Sequence, residues 1–294
     1  MDRPFDRSAE DLGNVVHLEH VNLRIPDQRL ATLFYVTGLG LTRDPYLMTG
    51  TTNMWVNVGR SQFHLPTGAA QVLRGHVGLV LPDSAALLRR LAALREPLAG
   101  TAFDYAEHDG YVDAVSPWGN RVRCYAPQPR FGRLRLGIPY VAFDVPPGTA
   151  ESIATFYREI IDTPAQVTEE VEGRTAHVAV GIGQSLLFRE TTRDLPPFDG
   201  HHVQIYLVDF SGPYRRLLER GLVSREDDQH QYRFADIVDV GNGKVLYTME
   251  HEVRSLRHPL YARPLVNRNP AQSNQDFTPG GENLAWAMGG SEAA

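Results

Sequence analysis

The sequence predicts an α+β fold: one β-α-β-β-β unit written four times in an ABAB order. A strand pattern recurs as EHVNLRI from Glu19, GHVGLVL from Gly75, PYVAFDV from Pro139 and HHVQIYL from His201. The aligned positions His20, His76, Tyr140 and His202 lie 56, 64 and 62 residues apart, a period that marks one supersecondary unit reused. Each copy is followed by a helix signal, and each helix by short β-type runs between Gly, Asn or Asp.

In the first unit Asp27 is placed to cap a helix on which Leu30, Leu33 and Phe34 share a face. In the second, Asp83 precedes Leu87, Leu88, Leu91 and Leu94. The third carries Ile153, Phe156, Tyr157 and Ile160, and the fourth starts its helix at Ser211 and Pro213, ahead of Leu217 and Leu218. Runs such as NMWVNVG, SQFHLP, YVDAVS, RVRCYAP, AHVAV and QYRFADIVDV supply the remaining strands. Units one and three share an aromatic pair (Phe34-Tyr35, Phe156-Tyr157) and a Val-Gly before the last hairpin. Units two and four share a His followed seven residues later by Val115 or Ile237, ahead of a Gly-Asn turn. The order is that of a two-unit ancestor duplicated.

Composition narrows the function classes. The 294 residues are 42% apolar and 22% charged, with a net charge of −6 of mixed sign, which argues against nucleic acid and anionic membrane as partners. No apolar run has the length of a membrane span, and the charged N-terminus lacks the apolar core of a signal peptide. A single cysteine, Cys124, forms no internal disulfide and reads as a small buried apolar residue, which fits a cytoplasmic protein. From residue 259 the periodicity ends in a Pro-, Asn-, Gly- and Gln-rich arm, a candidate homo-oligomer contact.

Over roughly residues 15–258 the chain resembles the vicinal oxygen chelate superfamily of glyoxalase I, extradiol dioxygenases and bleomycin- and fosfomycin-resistance proteins. The resemblance is carried by His20-Val21, Phe34-Tyr35, Gly38-Leu39-Gly40-Leu41, Gln62-Phe63-His64-Leu65 and the turn Ser116-Pro117-Trp118-Gly119-Asn120-Arg121-Val122. It implies modules at 15–70, 71–130, 135–195 and 198–258, paired into two curled mixed β-sheet half-barrels with helices outside. Metal ligands then come from the first and last strand of each module. The first strands offer His20, His76, Tyr140 and His202. The last strands offer His64, Arg123, Leu186 or Phe188, and Glu250, with Glu252 a rival on the same strand face.

The chemistry of these residues favours one pairing of modules. Three with four gives Tyr140, an apolar residue, His202 and Glu250, a poor site. One with two aims Arg123 at the cation. One with four gives His20, His64, His202 and Glu250, and such a pairing occurs in the family's single-chain, two-domain glyoxalases. Modules two and three then form a metal-free half with His76, Arg123 and Tyr140. His17, His177 and His251 read as structural histidines, and His64 as a ligand, a supporting donor or a packed ring.

Ligand number separates the expected functions. Two His and one carboxylate leave three positions on Fe(II), enough for a bidentate catecholate and O₂; a fourth protein ligand leaves two, which suits a glyoxalase-like lyase or isomerase using Mn, Ni, Co or Zn. Chain length and His230, which resembles the proton-transfer His of extradiol enzymes, favour an Fe(II) dioxygenase acting on a catechol-like small molecule. The alternative outside catalysis is a metal-free binding protein of the sequestering kind. Trp55, Asn57, Tyr206 and Tyr247 are candidate cavity-lining residues for an aromatic ligand.

Overall fold

The computed structural model describes residues 5–47 and 52–269; the distal part of the expected arm, residues 270–294, lies outside the described residues. Each repeat forms the same series. The first has β1 (Val15–Asn22), α1 (Gln28–Ala31) continuing as a π-helical stretch Thr32–Gly38, then β2 (Thr42–Arg43), β3 (Asn53–Val58) and β4 (Ser61–Pro66). The second has β5 (Gly75–Val80), α2 (Ser84–Ala93), β6 (Asp104–His108), β7 (Tyr111–Val115) and β8 (Arg121–Tyr125). The third has β9 (Gly137–Val145), α3 (Ala150–Phe156) with a π-helical end Tyr157–Ile161, β10 (Ala165–Glu170), β11 (Gly173–Gly181) and β12 (Gln184–Glu190). The fourth has β13 (His202–Leu207), α4 (Ser211–Glu219), β14 (Val223–Asp228), β15 (Gln231–Val238) and β16 (Val245–Ser255).

The helix starts follow from their caps. The Asp27 carboxylate accepts from the Arg29 and Leu30 amides at 2.7 and 3.0 Å, and Asp83 accepts from Ala86 at 2.8 Å. Each cap satisfies amides that the first turn leaves open and contributes about 1 kcal/mol. The paired aromatics coincide with the π-helical turns. An α-helix separates neighbouring side chains by about 100° and cannot bury two consecutive large rings equally. Phe34 and Tyr35 lie within the first π stretch, Phe156 and Tyr157 straddle the start of the second, and all four are fully buried.

Two eight-stranded mixed sheets result. One has the strand order β14-β15-β16-β13-β1-β4-β3-β2, the other β10-β11-β12-β9-β5-β8-β7-β6. The first and last strands of a repeat run parallel where the register is set: His20 opposite Gln62 and Asn22 opposite His64 in one sheet, Gly78 opposite Arg123 in the other. Outer hairpins are antiparallel, with Trp55 opposite His64 and Arg233 opposite Glu252.

By contacts the chain forms two units. One comprises residues 5–18, Val145–Thr192 and Ile205–Tyr261; its core centres on Phe156, Tyr157, Phe188, Phe234 and His251. The other comprises the described residues of 19–144, 193–204 and 262–269, with Phe34, Tyr35, Phe63, Leu79, Leu91 and Phe143 at its centre. In the second unit Gly75 has φ +151°, and a Cβ there would lie 1.9 Å from the Ala142 carbonyl oxygen. Only glycine lets β5 start that close to β9.

Candidate metal centre

One ligand atom of each of His20, His202 and Glu252 lies within 4.8 Å of the other two, and all three side chains are buried. They sit on β1, β13 and β16, neighbours in the strand order of one sheet. Among the described residues no other group of three His, Cys, Asp or Glu side chains meets in this way. His20 and His202 are the aligned histidines of repeats one and four, and their rings meet edge to face with centroids 5.6 Å apart.

The neighbours of these side chains bear on whether a cation fits. His20 Nδ1 donates to Glu19 Oε2 at 3.2 Å, which fixes the tautomer that leaves Nε2 its lone pair. Glu252 is oriented by two arginines: Arg233 donates to one carboxylate oxygen, and Arg254 pairs with the other at 2.6 Å. Arg233 also donates to Glu250 at 2.7 Å and to Asp227 at 3.2 Å, and Arg254 to Gln231 at 2.8 Å. Asp227 also pairs with Arg225 at 2.5 Å, so three carboxylates meet three guanidiniums in this cluster. A carboxylate oxygen that accepts one hydrogen bond keeps a second lone pair for a metal. Two imidazoles and one carboxylate therefore fit a divalent cation, in the donor combination used for non-haem Fe(II).

The other expected residues lie elsewhere. Glu250, the expected carboxylate, is on the same strand but outside the group of three, partly exposed and paired with Arg233. His64 is also outside it: its Nε2 bonds Gln62 Oε1 at 3.0 Å, and its ring lies between His20 at 3.7 Å and Trp55 at 3.8 Å. His230 lies in the turn between β14 and β15, where its amide donates to Asp228; its ring makes no hydrogen bond or ion pair among the described residues. His251 serves the core. It donates through Nδ1 to the Met249 carbonyl and accepts the Tyr157 hydroxyl at Nε2 at 2.6 Å, and burial pushes its pKa down to about 3. His17 bonds Gln184 and His177 bonds Glu170.

In the other sheet His76 Nε2 bonds the Tyr140 hydroxyl at 3.1 Å, and that hydroxyl meets Tyr125 at 2.9 Å. Arg123 is bound to Asp113 at 3.0 Å. Burial, with Tyr125 next, pushes the Tyr140 phenol well up, so it stays protonated.

Sequence reasoning missed Gln62, Asp44, Arg233, Arg254 and the role of Trp55. Strand parity offered a signal for Gln62, two residues before His64 on β4. Nothing in the local pattern marked Asp44.

No family model matches the sequence, and no curated protein matches it. Solved structures do match in fold. A Bacillus subtilis protein provisionally named a dioxygenase superposes with a TM-score of 0.54 at 13% identity, covering 82% of this chain and 86% of its own. Glyoxalase I from Zea mays superposes with a TM-score of 0.54 at 12% identity, covering 81% of this chain and 92% of its own. At these identities the likeness concerns the fold.

Proposed function

From a chain that has the vicinal oxygen chelate fold, we propose an enzyme that engages a small molecule through two adjacent oxygens at a divalent metal, and more narrowly an Fe(II) extradiol-type dioxygenase. The observation that carries the reading is the convergence of His20, His202 and Glu252 with His64 outside the group. Iron(II) bound by those three side chains would supply three open positions, enough for two vicinal oxygens of a catechol-like substrate and O₂.

The residues of the chain carry the rest of the reading. Glu19 holds His20 in its ligating tautomer, and Arg233 with Arg254 aims the Glu252 carboxylate. Proton handling falls to His64, whose ring lies against His20. His230 is the competing candidate from the sequence, and its place in the β14–β15 turn gives it no bonded link to the group.

The test is oxygen uptake by Fe(II)-loaded protein with catechols, hydroxyquinones and other vicinally oxygenated compounds. Uptake matched to substrate loss is expected. Turnover without oxygen uptake would transfer the assignment to a lyase or isomerase of the glyoxalase kind, and a protein that binds no metal would sink the enzyme reading.

A further inference from the structure

The first residues of the C-terminal arm are laid on the first repeat. Arg263 Nη2 donates to Asp44 Oδ2 at 2.7 Å, and its guanidinium carbon lies 5.9 Å from the centre of the Trp55 ring. The Val266 carbonyl accepts from Asn57 Nδ2 at 2.9 Å. The Asn267 side chain accepts from the Gly59 amide at 3.0 Å and donates to the Gly59 carbonyl at 2.9 Å, and the Arg268 amide donates to Thr42 at 2.9 Å.

These contacts converge on Gln62, which is fully buried. Its Nε2 donates to Asp44 Oδ2 at 3.0 Å and to Asn57 Oδ1 at 2.5 Å. Two acceptors on the same side fix which way the amide points, because a flipped amide would set its oxygen against both of them. Gln62 Oε1 therefore faces His64 Nε2 at 3.0 Å. A carbonyl oxygen only accepts, so Nε2 carries the proton and cannot ligate a cation, and the remaining ring nitrogen, Nδ1, does not join the group of three.

Resting on the metal-centre reading above, we infer that Gln62 is a positioning residue that keeps His64 off the metal. It is clamped by Asp44 and Asn57, and through them by Arg263 and Val266 of the arm. The arm thereby fixes the site at three protein ligands. His64 is close enough for the distinction to matter, since it lies against His20 on adjacent parallel strands. Released from Gln62, the ring can carry its proton on Nδ1 instead and present a lone pair at Nε2 without leaving its stack between His20 and Trp55. Ligand number decides between a site open to both substrate and O₂ and one open to substrate alone. The clamp on Gln62 is thus a determinant of reaction type.

The experiment counts metal-bound imidazoles by X-ray absorption on the full-length protein loaded with Zn²⁺. Two per zinc are expected in the native protein and three in Gln62→Met, which keeps the side-chain volume but removes both the acceptor for His64 and the donor to Asp44. Adding His64→Ala to that variant should return the count to two. Arg263→Ala, on the arm and remote from the core, covers the case in which Gln62→Met does not fold; its count should rise above two. Two imidazoles in native and variant alike, or three in the native protein, would overturn the inference and leave the metal centre standing. Failure of the native protein to bind zinc would overturn the metal-centre reading itself, and the inference with it.

Discussion

The imidazole of His20 lies face to face with that of His64, centroids 3.7 Å apart and planes 21° from parallel. Trp55 covers the far side of His64 at 3.8 Å and 10°. A ring held on both faces cannot swing out of its plane; only its orientation within the plane stays open, and Gln62 sets that. The stack covers one face of His20, which is almost fully buried.

The identity of the carboxylate is tested by metal affinity. Glu252→Gln and His202→Ala should each weaken Fe(II) or Zn²⁺ binding by more than the roughly 10–100-fold typical of residues that only support a ligand. Glu250→Gln, which touches the group through Arg233, should stay within that range, and His76→Ala should change nothing. Isothermal titration of the four variants is the measurement. Equal losses in Glu250→Gln and Glu252→Gln would return the assignment to Glu250.

Proton transfer is tested by substitution at the two candidate histidines. His64→Gln should lower turnover by about 10²–10⁴-fold, the usual contribution of a positioned acid–base group, while metal content holds. His230→Gln should leave turnover within a few-fold of native. The reverse ordering would move the role to the β14–β15 turn.

The arm should release in acid. Burial alone would raise the Asp44 pKa, but hydrogen bonds from the Leu47 and Tyr46 amides and the Arg263 guanidinium outweigh it and hold it below its ordinary 3.8. A carboxylate with a depressed folded pKa contributes stability above its unfolded pKa and loses it as pH falls through the folded one. The stability advantage of native protein over Asp44→Asn should therefore be constant from neutral pH down to about pH 5 and shrink below the ordinary value. Urea melts at stepped pH would show it. A gap that stayed constant to the lowest folded pH would mean the clamp does not depend on the Asp44 charge.

The fold was legible because its signals are local: a seven-residue strand repeated four times, caps at Asp27 and Asp83, and paired aromatics at the helix ends. Two histidines of the group were legible as aligned positions. The carboxylate was legible only as a choice between Glu250 and Glu252, because β16 is irregular. Between Phe234 opposite His251 and Val238 opposite Val245 the β15–β16 register shifts twice, and β16 uses two more residues than β15. Counting from the Gly241-Asn242 turn consequently cannot tell Glu250 from Glu252. The arm was illegible for a different reason. Its bonds to Asn57, Gly59 and Thr42 span 208 to 226 residues, and no periodicity encodes a contact of that range.

The equivalent tyrosines of repeats one and three should respond oppositely to loss of their hydroxyls. Tyr157 donates to His251 Nε2 at 2.6 Å inside a core with no access to water. Tyr157→Phe leaves that nitrogen buried and unsatisfied, at a cost of about 1–3 kcal/mol. The Tyr35 hydroxyl is just as buried but has no hydrogen-bond partner among the described residues. Tyr35→Phe removes an unsatisfied polar atom while keeping the ring against Phe34 and Phe63, so it should be neutral or stabilising by up to about 1 kcal/mol. Urea denaturation of both variants decides it. A Tyr35→Phe protein destabilised as much as Tyr157→Phe would mean that the first hydroxyl is satisfied after all, and the nearest source is a water buried in the π-helical turn.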